Sequence, residues 1–399
     1  MRLPLSVGLP AGPAVWLLGA AETVSWGLLY YSFGVLLRPM AAALGASEAE
    51  ISGSFSVALL AAGIAAPFVG RAVDRAGAGP VMTAGSLLGT LGFALASGVQ
   101  STAQLYAVWA LMGIAYACTS YEPAFAAVTA WLQDAEARRR ALLVITSFGG
   151  LASTIFVPFA AFVVEGAGLR PAMMIFALVL GLVLVPLHVA IATVRRPAHP
   201  PAPSVVSPVP ASPGLLGGVL ALHAFASTGV AAFLIPAFLD RGITLPDAAA
   251  LVALLGASQV LARLLYPFLC RRVPARARLS MLLAVQGIAL VGWGFLSGPA
   301  LVAALVAFGA ANGLMTLERA SVIADWFGVT GYGARSGNFA AGSMLARAAA
   351  PVAMAVVARH ASYASAFLIV ACSLGIAVLM QVFGEWRRIG SATGPAFTR

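Results

Sequence analysis

The sequence has 399 residues, of which 61% are hydrophobic and 9% charged, and its mean hydropathy is +0.96. About a quarter of an ordinary soluble chain is charged, so a soluble globular protein is excluded; short alternating strands are missing, which excludes an outer-membrane barrel. The net charge is +10 and all 23 basic residues are arginine, but they sit in short stretches between apolar runs, so they read as topology determinants rather than a nucleic-acid footprint.

Apolar runs near the ~20 residues that span a bilayer as a helix are expected at 13–37, 49–70, 78–98, 103–131, 140–163, 171–193, 214–239, 247–270, 279–297, 300–326, 334–358 and 361–383. The first carries Glu22 and no small-residue cleavage site, so it reads as a retained helix and not a signal peptide. The second opens on "SEAE", where Ser47 caps the helix and Glu50 reaches back; "TLPD", with Thr244 and Asp247, repeats that arrangement in the eighth. The fourth contains "TSYEPAFAAV", with Glu122 and Pro123 side by side in an otherwise apolar run. A proline there frees a backbone carbonyl and bends the helix, which is tolerated where neighbours or water satisfy the freed group.

Between the sixth and seventh runs lies "RRPAHPPAPSVVSPVPASPG" with seven prolines. It can build neither helix nor core, so 195–213 reads as a cytoplasmic linker between an N-terminal six-helix bundle, 1–194, and a C-terminal one with a short tail, 214–399. With the N-terminus inside, sixteen arginines fall on the cytoplasmic side and four outside. That asymmetry puts both termini in the cytoplasm and the protein in the plasma, or inner, membrane.

The two halves repeat. "APFVGRAV" at 66–73 matches "YPFLCRRV" at 266–273, "GIAYACTSYE" ending at Glu122 matches "GAANGLMTLE" ending at Glu318, and "SFGG" at 147–150 stands against "NFAA" at 338–341. The order and near-constant spacing indicate duplication. Six-plus-six parallel repeats about an axis along the membrane normal are a transporter architecture.

Ionisable residues inside spans usually face the bundle interior or a wet cavity. Here they are Glu22, Glu122, His223, Arg263, Glu318, Arg319 and Arg347. Glu22, Glu122, His223, Arg263 and Glu318 share one layer, roughly 5–8 Å to the cytoplasmic side of the midplane at ~1.5 Å per residue. Glu22 and His223 are repeat-related, as are Glu122 and Glu318. A guanidinium offers a planar fork that suits a carboxylate, so Arg263 and Arg347 are the candidate anion ligands, with Glu122, Glu318 and Tyr121 beside them. Glu22, Glu122, Glu318 and His223 are candidates for proton coupling. Arg263 can equally pair with Glu122 or Glu318 and hold helices together. His223 can be a helix-contact residue, and the aromatic residues of the first and fourth spans can be packing.

After the second span comes "GRAVDRAG", with Gly70, Asp74, Arg75 and Gly77. It resembles the loop motif of the major facilitator superfamily, and with twelve spans, a central loop and the repeat the resemblance covers the whole chain. It implies an all-α membrane fold of two six-helix bundles that works by alternating access, with spans one, four, seven and ten lining a cavity. It also implies that Asp74 meets the N-terminus of the eleventh helix, which makes Gly70, Asp74, Arg75 and Gly77 gate residues. The arginines of spans eight and eleven resemble the basic pair of the oxalate/formate antiporter, and that of span eight the arginine of monocarboxylate transporters; "RRRALLVITSFGG" resembles the start of their fifth span. Trp109, rather than an arginine, precedes Gly113 by four residues, and the fifth span lacks the glycine-proline signature of drug antiporters.

The expected function is secondary transport of a small organic anion, as proton symport or anion exchange, by a monomer. The alternatives are efflux of an amphiphilic or cationic compound through the acidic layer and, from another class, a membrane enzyme or sensor. The sequence carries no metal-ligand cluster, phosphate loop or nucleotide motif, so no cofactor, metal, nucleotide or nucleic-acid partner is expected. Cys118, Cys270 and Cys372 are scattered over three spans and suggest no disulfide framework.

Overall fold

The computed structural model describes residues 11–132, 134–194, 213–243, 245–269, 272–293, 295–327 and 332–392. Most of the linker expected at 195–213, the Thr244 cap and the two chain ends lie outside the described residues. Within them the chain is a succession of helices and no strand occurs.

Twelve helical runs follow one another among the described residues. The first, α1, is built of Ala11–Trp26, a π-helical turn at Gly27–Tyr31, and Ser32–Leu44. Next come α2 (Glu48–Ala76) and α3 (Ala78–Ala96). The run α4 joins Thr102–Thr119 to Tyr121–Trp131, and α5 joins Ala135–Gly150 to Ala152–Ala167. The run α6 contains Leu169–Val179, a π turn at Leu180–Leu184, and Val185–Ala192. Then follow α7 (Pro213–Asp240) and α8, made of Leu245–Leu264 and Tyr266–Leu269. The last four are α9 (Ala275–Trp293), α10 (Gly298–Phe327), α11 (Tyr332–His360) and α12 (Tyr363–Ala392). Each overlaps one expected span. Among the described residues seven helices are long and apolar enough to cross a membrane. Phe68, Phe162, Leu182, Phe268, Ile288 and Leu379 are exposed, as side chains facing lipid are.

Local chemistry explains the boundaries. Ser47 and Glu50 form the expected capping box: the Glu50 amide donates to Ser47 Oγ at 3.2 Å and the Ser47 amide to Glu50 Oε2 at 2.9 Å. The motif glycine Gly77 ends α2 at φ 95° and ψ 160°, a backbone conformation closed to side-chain-bearing residues.

At Glu122–Pro123 the helix does not bend around a proline in mid-course. It stops at Ser120, whose backbone is extended at φ −83° and ψ −177°, and restarts at Tyr121. Pro123 thus falls in the first turn of the new segment, where its missing N–H costs nothing. Glu122 stands in the same turn, where the exposed amides favour a carboxylate.

Contacts divide the chain into two compact units, Met1–Ser204 with Val329–Ala341, and Val205–Gly328 with Gly342–Arg399. In the first, α2 packs on α4, and α3 on α4 and α6. In the second, α8 packs on α10, and α9 on α10 and α12, which is the same order one repeat later. The duplication extends to single contacts. Gly113 lies against the Ala58 carbonyl in the first unit, and Gly309 against Ser258 and the Leu255 carbonyl in the second, each so closely that a Cβ would collide. Small residues let transmembrane backbones approach in this way.

Candidate functional site

In the first unit the polar group at the centre of α1 is Glu22, fully buried at 0% exposure. The Trp26 indole N–H, one turn on, donates to its Oε2 at 3.0 Å, while its Oε1 is buried without a hydrogen-bond partner. Glu122 is near enough to act on it electrostatically. Glu122 itself accepts from the Ser120 hydroxyl at 2.7 Å. The break in α4 therefore brings a second carboxyl towards that of α1.

Aromatic rings enclose this pair of acids. The Trp26 ring lies 5.2 Å from Tyr30, 6.2 Å from Tyr31, 5.3 Å from Tyr116 and 5.0 Å from Tyr121. Adjacent residues of an α-helix face different directions, yet both Tyr30 and Tyr31 reach Trp26, because the π turn at Gly27–Tyr31 adds a residue to the helix. Tyr121 stacks on Phe125 at 5.2 Å, and its hydroxyl lies over Gly149 of α5, where a side chain would collide. Thr23 donates to the Phe148 carbonyl at 2.9 Å and ties α1 to the same helix.

The second unit has different chemistry at the repeat-related places. His223 of α7 is buried and its Nε2 lies 3.2 Å from Asn312 Oδ1 of α10; Asn312 Nδ2 in turn points at Gln259 Oε1 of α8 at 3.4 Å. Arg347 and Arg319 act on the His223 ring as charges, and Gln286 of α9 as a hydrogen-bond partner. Arg263 is 3% exposed, and its Nε donates to the Gly313 carbonyl across the close α8–α10 contact at 3.1 Å. Arg347 Nη1 donates to the Thr228 hydroxyl of α7 at 3.2 Å. Two guanidiniums from α8 and α11 and one imidazole thus belong to a unit whose repeat-related counterpart holds two carboxyls.

Glu318 meets a tyrosine and a further arginine. It is 1% exposed; the Tyr266 hydroxyl donates to its Oε1 at 2.5 Å, and Arg278 Nε stands 2.8 Å from the same oxygen. The Arg278 N–H is not aimed at the oxygen, so this is an ion pair rather than a hydrogen bond. Arg278, expected as one of the cytoplasmic topology arginines, is mostly buried, with a side chain 12% exposed. Neither was legible as a partner: Arg278 lies in an arginine-rich stretch that reads as topology, and Tyr266 in the apolar run of the eighth span.

Of the motif residues, Asp74 and Arg75 are exposed while Gly70 and Gly77 are buried. Asp74 Oδ2 accepts from the Ala334 amide at 2.7 Å, in the first turn of α11 and within the first unit. First-turn amides have no partner inside their own helix, and a carboxylate suits them. A further buried contact escaped the sequence reading: His188 of α6 is fully buried with Nδ1 2.5 Å from Ser86 Oγ of α3. Among the described residues no group of three or more His, Cys, Asp or Glu could hold a metal ion.

Residues 15–317 match the family model described as Major Facilitator Superfamily. No curated protein is similar enough in sequence to be matched to this one. Among solved structures the chain resembles the human organic anion transporter MFSD10 (TETRAN), with 19% identity and a TM-score of 0.71, over 92% of this chain and 98% of that one. It also resembles the E. coli fucose:proton symporter FucP, with 14% identity and a TM-score of 0.69, over 94% and 98%. A third likeness is to the proton:xylose symporter XylE bound to 6-bromo-6-deoxy-D-glucose, with 12% identity and a TM-score of 0.68, over 93% and 95%. At these identities the likeness is one of fold.

Proposed function

Because this chain belongs to the major facilitator superfamily, and is a multi-pass membrane transporter rather than an enzyme, we propose that its cargo is a small organic anion held by Arg263 and Arg347. The observation that carries this reading is that α8 and α11 each contribute a guanidinium to the second unit, Arg263 bonded to the Gly313 carbonyl and Arg347 to the Thr228 hydroxyl, with Arg347 acting on His223. Such placement presents fork-shaped donors to a carboxylate, and intramembrane arginines commonly mark a substrate path.

Two six-helix bundles joined by the proline-rich linker would alternate access by rocking, as repeat transporters do. Asp74 and its motif would hold one state through the α11 amides. Proton symport would use Glu22, Glu122, Glu318 or His223, each of which changes charge on protonation; exchange of two anions needs none of them. The arginine distribution supports a plasma-membrane protein with both termini in the cytoplasm, and the two-bundle architecture is compatible with a monomer.

The test is a thermal-shift series on purified, detergent-solubilised protein with small monocarboxylates and neutral sugars. A ligand that binds the folded state raises the apparent melting temperature. A carboxylate is expected to stabilise the wild type and to lose that effect in Arg263→Ala and in Arg347→Ala. A carboxylate shift that survives both substitutions, or a shift produced by sugars alone, overturns the reading.

A further inference from the structure

We propose that the first unit contains a second ligand site, formed by Glu22, Glu122, Trp26, Tyr30 and Tyr121, that takes the protonated amine of an organic compound. The proposal does not depend on the arginine site. Three observations converge on it.

First, Glu22 is completely buried, with one oxygen held by the Trp26 indole and the other lacking a hydrogen-bond partner. Burying an acceptor without a donor is costly, and burying a carboxylate without a cation more so. Because Oε2 is fixed on the Trp26 ring, the carboxyl lies against the aromatic cluster, and Oε1 is available to a donor entering there. Second, a second carboxyl, Glu122, acts on the same place. Like charges set this close disfavour both acids being ionised, unless a proton or a cation is held with them. Third, the walls are aromatic faces. Trp26 is surrounded by Tyr30, Tyr116 and Tyr121 within 5.3 Å, and Tyr30 and Tyr121 are half-exposed where Trp26 and Tyr116 are buried.

Ring faces attract a desolvated ammonium, tryptophan most strongly. Carboxylates accept its N–H groups in charge-assisted hydrogen bonds. A neutral sugar would satisfy the oxygens but gain nothing from the charge, and an anion would be repelled. The π turn that brings Tyr30 into this cluster departs from regular helix, and π turns are frequent at functional sites. Tyr30 also borders a small cavity with Phe55, Ala58, Met112 and Tyr116, which neither acid lines.

The experiment compares 2-phenylethylammonium with its uncharged analogue 2-phenylethanol in thermal-shift titrations. The proteins are full-length wild type, Glu22→Gln, Tyr30→Leu and Arg263→Ala. The expected result is a saturable shift with the ammonium and none with the alcohol. Glu22→Gln and Tyr30→Leu are each expected to need at least tenfold more ammonium for half the shift, and Arg263→Ala to respond as wild type. Should Glu22→Gln not fold, Tyr30→Leu decides. The proposal is overturned if the ammonium leaves wild type unshifted, if it shifts the Glu22 and Tyr30 variants equally well, or if Glu22→Gln stabilises the ligand-free protein while the ammonium has no effect. In the last case a proton is the occupant.

Discussion

Removing the guanidinium of Arg278 is expected to cost more than removing the carboxylate it faces. Glu318 is 1% exposed, and its charge is met by Arg278 at 2.8 Å and by the Tyr266 hydroxyl at 2.5 Å. In Arg278→Ala a buried carboxylate loses its cation, a change that costs about 3–5 kcal/mol. Glu318→Gln leaves behind a guanidinium that is 12% exposed at the start of α9, able to turn towards water along its flexible stem. That variant should lose about 1–2 kcal/mol, the scale of a lost buried hydrogen bond. Tyr266→Phe removes one donor to a charged acceptor and should cost about 1.5–3 kcal/mol. The double variant Arg278→Ala with Glu318→Gln should fall close to Glu318→Gln alone, so the coupling in the cycle should equal the Arg278→Ala loss, about 3–5 kcal/mol. The assay is reversible unfolding of the purified protein in mixed micelles titrated with a denaturing detergent. If Arg278→Ala unfolds within about 0.5 kcal/mol of wild type, the spread ordinary for surface substitutions, and Glu318→Gln abolishes carboxylate binding, Glu318 is a ligand-site residue and the ion-pair argument is refuted.

Three other outcomes are expected. Asp74→Ala should free the Ala334 amide and raise its hydrogen-exchange rate roughly tenfold, the effect of losing about 1.4 kcal/mol of capping; Asp74→Asn, which keeps an acceptor, should exchange more slowly than Asp74→Ala. Gly113→Ala forces a Cβ into the Ala58 carbonyl and should lower stability by about 1–3 kcal/mol, the usual cost of overpacking, and the repeat-related Gly309→Ala should behave alike; two neutral variants would remove the close-approach explanation. The Ser47 amide and hydroxyl hold the Glu50 carboxyl below its ordinary range, ahead of the apolar stretch that begins at Gly53. A lowered folded-state value means that the contribution is present above the ordinary carboxylate range and disappears as pH falls through the folded value. The melting-temperature gap between wild type and Glu50→Ala should therefore be widest near neutral pH and close on acidification.

The runs of apolar residues made twelve helices legible, because a spanning helix must satisfy its own backbone and so betrays itself by length and composition. The Ser47 cap could be read for the same reason: its chemistry is complete within four residues. What could not be read is chemistry completed by a distant residue. Glu318 appears in sequence as a lone acid matched to Glu122, whereas its cation lies forty residues earlier in "RRVPARAR", hidden among arginines whose common role is topology. His188 and Ser86 are ordinary residues in apolar runs, and only the packing of α6 on α3 joins them. The break at Ser120 was foreshadowed by Pro123, but a proline at a first turn and a proline in mid-helix look the same on paper.

The repeat explains why backbone and side chains tell different stories. Helix-on-helix approach is set by small residues, and these persist from Gly113 to Gly309, with Ala58 answered by Leu255. A duplicated fold has to keep such contacts in both copies, since either unit fails without them. Nothing in packing requires the polar residues to keep the same partners, and they do not. Glu22 is answered by His223. Glu122, at the head of a restarted helix, is answered by Glu318, which is engaged by an arginine and a tyrosine in mid-helix. The first unit has become acidic and aromatic, and the second basic and hydrogen-bonding. Two copies with the same groups would favour ligands of one charge type, whereas units that differ in their buried charges can differ in what they bind. Exchanging the diverged pair tests this directly: His223→Glu, which restores the acid of the first unit, should weaken carboxylate binding at least tenfold by setting an anion beside Arg347. Unchanged carboxylate binding in that variant would mean that the charge divergence is not where selectivity resides.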